Sequence, residues 1–71
     1  MKINKTHPYG LLATQAGFQL RITVLESRAG FYIGTSDDDG PCTRESMEYW
    51  PSRDLALAAL EAEDWSQKPS L

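Results

Sequence analysis

Between Gly30 and Trp65 the chain reads GFYIGTSDDDGPCTRESMEYW and then, with no linker, PSRDLALAALEAEDW. Two segments of strand character enclose an Asp-Gly turn, and Pro51 cuts the second one off because it cannot donate to a ladder. Ser52 then offers an N-cap, with Asp54 in the first turn, where a negative charge complements the helix dipole. A hairpin feeding straight into a capped helix admits few architectures, and the natural one lays the helix across the sheet.

Upstream, Phe18, Leu20, Ile22 and Val24 alternate with Gln19, Arg21 and Thr23, the period-2 signature of a half-buried strand. After a turn over Glu26 to Gly30, Phe31 and Ile33 continue the apolar face while Tyr32 and Gly34 point the other way. A third strand is expected over Thr43 to Trp50, with Met47 and Tyr49 inward and Arg44, Ser46, Glu48 and Trp50 outward. From Arg53 to Asp64, Leu, Ala and Glu dominate and no β-branched residue occurs, so a helix is expected with Ala56, Ala59 and Leu60 on its buried stripe. The sequence therefore predicts an α+β fold of two layers over residues 17 to 65: a three-stranded antiparallel sheet followed by one C-terminal helix packed on one face (β-β-β-α). Residues 1 to 16 read as an N-terminal arm or short edge strand punctuated by Pro8 and Gly10, and residues 66 to 71 as a flexible tail.

Only one domain fits in 71 residues, and a core of that size leaves stability marginal. Cys42 is the single cysteine, so no internal disulfide forms, and with His7 as the single histidine the ligands of a structural zinc site are missing. A lone thiol and the lack of a long apolar run point to a cytoplasmic chain with no membrane segment and no cofactor. The formal net charge is −3, but it is unevenly spread. Up to Ser36 the chain carries Lys2, Lys5, Arg21 and Arg28 against Glu26 alone, whereas Asp37 to Asp64 set nine acids against Arg44 and Arg53. Such an acidic half disfavours wrapping a phosphate backbone and favours a protein partner.

Most candidate chemistry dissolves on inspection. Asp37, Asp38 and Asp39 are contiguous, whereas a calcium loop alternates its ligands, so the segment reads as a hairpin turn. Cys42 and His7 sit in no nucleophile motif, and Glu45 and Glu48 differ in strand parity, which argues against a carboxylate pair and against an enzyme. What remains is the outer sheet face. There Arg21, Tyr32, Arg44, Ser46 and Trp50 are the candidate binding residues, because Arg, Tyr and Trp dominate interface hot spots. Aromatics among arginines also stack on single-stranded nucleic acid, which is the less favoured alternative. The small core and an open sheet edge add a possible homodimer.

The segments GFYIGTSDDDG, TRESMEYWPSRDLALAAL and DWSQ resemble a group of short proteobacterial proteins that share this order of GFYIGT, RES, EY plus an aromatic, an Ala-rich helix and W.Q. The likeness spans Gly30 to Gln67 and brings no function with it. The order of strands, the Trp50-Pro51-Ser52 junction and the Ala-rich helix are also similar in topology to the arm-type DNA-binding domains of integrases and to AP2-like domains. That resemblance implies DNA contacts at Arg21, Tyr32 and Arg44, although Asp37 to Asp39, Glu45 and Glu48 replace the basic residues of those strands. Size and acidity further suggest a phage or mobile-element inhibitor of a host complex.

Overall fold

In the computed structural model, which describes residues 9–70, the elements run α1 (Leu11–Gln15), β1 (Thr23–Ser27), β2 (Gly30–Asp37), β3 (Gly40–Arg44) and α2 (Arg53–Ala62). The three strands form one antiparallel sheet in the order β1-β2-β3, and α2 packs on β1 and β2. The fold is α+β with its C-terminal helix against the sheet, as the sequence predicts. Among the described residues no helix is long and apolar enough to cross a membrane.

Register assigns the faces. Val24 pairs with Ile33 and Thr35 with Thr43 on one face, while Leu25 pairs with Tyr32 and Gly34 with Arg44 on the other. The first face is the core side, where Val24, Ile33, Thr35 and Thr43 are buried together with Leu12 and Ala13 of α1 and Ala56 and Ala59 of α2. The alanines keep α2 close to the strands, and the Arg53 guanidinium carbon lies 5.9 Å from the Phe31 ring centroid at the helix entrance. Ser52 caps α2 by accepting from Leu55 N at 3.2 Å, as its sequence position suggests.

Four features depart from the sequence reading. The first strand begins only at Thr23, and Phe18, expected inward, is 47% exposed. Phe18 belongs instead to the exit of α1, because Phe18 N donates to Ala13 O and Gly17 N to Thr14 O, with Gly17 at φ 96. These paired bonds are the Schellman closure of a helix. The segment expected as an arm or edge strand thus contains a helix, with residues 1 to 8 lying outside the described residues. Tyr9 makes one isolated antiparallel bridge, to Arg21.

The third departure is the end of β3. The strand expected to run to Trp50 stops at Arg44, the chain bulges out, and Trp50 returns to exchange two backbone bonds of 2.8 Å with Phe31. Across this gap Ser46 Oγ takes the place of a ladder carbonyl, accepting from Ile33 N at 3.0 Å while donating to Glu48 O. A bulge shifts strand parity, so Met47, expected inward, is 56% exposed. The fourth is the C-terminal segment expected to be a flexible tail. Met47 N donates to Ser66 O and Lys68 N to Glu45 O, so residues 66 to 68 run along the bulge as a short paired edge.

Candidate functional site

The sheet face turned away from the helices holds a compact Arg-Tyr cluster. Tyr32 projects from the middle of β2 across Gly34, which leaves room for nothing larger. A Cβ on Gly34 would sit 2.9 Å from Tyr32 Cε2 and 2.2 Å from the carbonyl oxygen of Thr43. The bulge brings Tyr49 over this ring edge-on, with centroids 5.9 Å apart and planes at 73°, the geometry that aromatic quadrupoles favour. Tyr32 is left only 7% exposed. Burial, reinforced by Tyr49 and opposed by the Arg44 charge, pushes its hydroxyl pKa up.

Arg44 completes the cluster from β3. Its guanidinium carbon lies 4.7 Å from the Tyr49 ring centroid, Nη1 donates to Tyr49 Oη, and Nε is buried with no hydrogen-bond partner. Stacking on the ring and the fork geometry of the guanidinium hold this cation in place before anything binds. The arrangement offers a fixed, partly desolvated positive charge beside a half-exposed tyrosine. Its chemistry is recognition of acceptor groups, and no nucleophile and base converge there.

Of the five residues predicted for a binding face, the structure brings together two, Tyr32 and Arg44. Ser46 is fully buried and its hydroxyl is committed to the bulge. Trp50 lies opposite Phe31, on the helix side of the sheet, and lines a groove with α2. Arg21 stands apart before β1, its guanidinium carbon 5.6 Å from the Tyr9 ring centroid. Tyr49 is the member that sequence reasoning missed, because an unbroken third strand sends it to the core. The signal against that unbroken strand was Glu45, a charge that the same parity also puts inward.

Glu45 is indeed buried, and it is the hub of a polar network beneath the helices. Its Oε1 accepts from Leu12 N at 3.0 Å and Gln67 Nε2 at 2.7 Å, and its Oε2 from Ala13 N at 3.1 Å and Thr43 Oγ1 at 2.7 Å. Since the Thr43 proton goes to Glu45, the 2.6 Å contact between the two threonine hydroxyls is donated by Thr35. Burial pushes the Glu45 carboxyl up, but the bonds from Leu12, Thr43, Gln67 and Ala13 together outweigh it and hold its pKa below the ordinary range. This network consumes the buried polar groups for folding. On the acidic turn, Asp39 N donates to Asp37 Oδ1 at 2.9 Å, an Asx turn that accounts for the hairpin. Among the described residues no three His, Cys, Asp or Glu side chains are grouped to hold a metal.

The fold and this face define a two-layer α+β domain whose open sheet surface carries an arginine-tyrosine cluster. No known family matches the chain, nor does any curated protein or solved structure.

Proposed function

We propose that this chain is a non-enzymatic protein-protein interaction module that docks through the sheet face opposite its helices, with Arg44 and Tyr49 as anchors and Tyr32 as their base. The observation that carries this reading is the Arg44 guanidinium, stacked on Tyr49 with its Nε withdrawn from water and unpartnered. A cation held in this way loses little conformational freedom on docking, and Arg and Tyr are residue types on which interfaces concentrate their binding energy. Tyr49 is 38% exposed, whereas the buried Glu45, Ser46, Thr35 and Thr43 all work within the fold.

A photo-crosslinking side chain placed at Thr23, exposed on the same face across Gly34 from Arg44, tests the reading in cells that express the chain. A discrete adduct is expected from position 23 and none from position 38 on the acidic turn. Arg44→Gln in the crosslinking chain should reduce the adduct several-fold while leaving thermal unfolding nearly unchanged. Equal adducts at both positions, or an adduct indifferent to Arg44→Gln, overturn the proposal.

A further inference from the structure

Beside the stripe that packs on the sheet, α2 carries an apolar surface that the sheet leaves open, with the buried Ala59 shared between the two. Leu55, Ala58, Ala59 and Ala62 recur at the i, i+3, i+4, i+7 spacing of one helix face, and with Trp50 and Asp64 they line an open groove of about 320 Å³. Leu55 is 52% exposed, and Ala58 and Ala62 are exposed beside it. Small side chains flanked by one large one let a second helix approach to roughly the 8 to 10 Å at which packed helices lie.

The charge around the groove selects its occupant. Asp54 and Glu61, seven positions apart on the margin of the stripe, are exposed, and exposed Asp64 lies in the lining itself. The last turn of α2 has no basic residue, so Glu61 and Asp64 lie at the negative pole of the helix dipole, where unpaired acids lower stability. A second copy of the chain would set these acids against its own.

We propose that the groove receives a cationic amphipathic helix from a partner protein, with its apolar stripe on Leu55 and the three alanines and its Lys or Arg side chains on Asp54, Glu61 and Asp64. Such an occupant satisfies shape and charge together, in the helix-in-groove mode of recognition. The groove lies in the helical layer and the Arg44-Tyr49 cluster on the opposite sheet face, so the two surfaces are separately testable.

The test titrates the folded chain with a synthetic Leu/Ala/Lys amphipathic helical peptide, and with the same peptide carrying Glu for Lys, followed by amide and indole NMR shifts. The Lys peptide should perturb α2 and the Trp50 indole, weaken as salt rises, and lose about tenfold in affinity against Leu55→Lys and against Glu61→Lys. Arg44→Gln should bind it as the parent does. The proposal is overturned if the Glu peptide binds equally, if shifts centre on Asp37 to Asp39, or if folded Leu55→Lys keeps full affinity. Shifts at α2 that appear merely on concentrating the chain overturn it too, by making a second copy the occupant.

Discussion

A carboxylate with no exposed surface is tolerated only when its lone pairs are engaged, and Glu45 meets that condition with four donors from α1, β3 and the C-terminal segment. Glu45→Gln presents an amide nitrogen to groups that are themselves donors. The expected loss is about 2 to 4 kcal/mol of unfolding free energy, read from urea denaturation. The sign of the pH dependence follows from the pKa direction. A folded-state carboxyl held below its unfolded value adds stability above the unfolded pKa and loses it as pH falls through the folded one. Glu48, whose carboxylate accepts from Ser66 N and is also lowered despite some burial, acts in the same window. Parent stability should therefore fall below about pH 4.3, the ordinary glutamate pKa, and Glu45→Gln should flatten that fall. Gly34→Ala is a second residue-scale test, because its Cβ runs into the Thr43 carbonyl, backbone that cannot swing aside. It should cost about 3 kcal/mol in the same assay, and a neutral result would show that Tyr32 and β3 repack freely.

At the scale of elements, hydrophobic alternation and capping made β2, the Asp-Gly turn and α2 legible, since each is fixed by local chemistry. What escaped was decided by contacts distant in sequence. The five residues of α1 are too few to persist alone, and they hold because Glu45 occupies the amides of Leu12 and Ala13 and Gly17 closes the other end. Gly17 closes its end within its own turn, but the cap at the other end lies more than thirty positions away, at Glu45 just past β3. The bulge after Arg44, where Glu45 N and Ser46 N share Ile33 O, is likewise pinned by one hydroxyl that no periodicity reveals, and it moves Tyr49 into the candidate site and Trp50 out of it. Ser46→Ala removes the acceptor for a buried Ile33 N–H and should cost about 1 to 3 kcal/mol. Hydrogen exchange gives the sharper readout. The Ile33 amide should exchange markedly faster while that of Leu25, in the hydrogen-bonded pair with Tyr32 on the far strand, changes only with global stability.

For the whole molecule, the same network makes distant ends of the chain cooperate. Gln67 reaches Glu45 Oε1 at 2.7 Å, and Lys68 N donates to Glu45 O at 2.7 Å, so the C-terminal segment braces the very carboxylate that caps α1. A chain ending at Trp65 loses both bonds, the pairing of Met47 N with Ser66 O and the Ser66 contact to Glu48. It should unfold about 2 to 4 kcal/mol more easily, which for so small a domain is a large share of the total. The more specific consequence lies at the opposite end of the sequence. With one of its donors gone, the Glu45 carboxylate is freer to rotate, and exchange at Leu12 and Ala13 should rise beyond what the global loss explains, while Ala56 in α2 tracks the global value. If Leu12 and Ala56 accelerate equally, the C-terminal segment merely adds area to the fold. If Leu12 outpaces Ala56, the two ends are joined through Glu45.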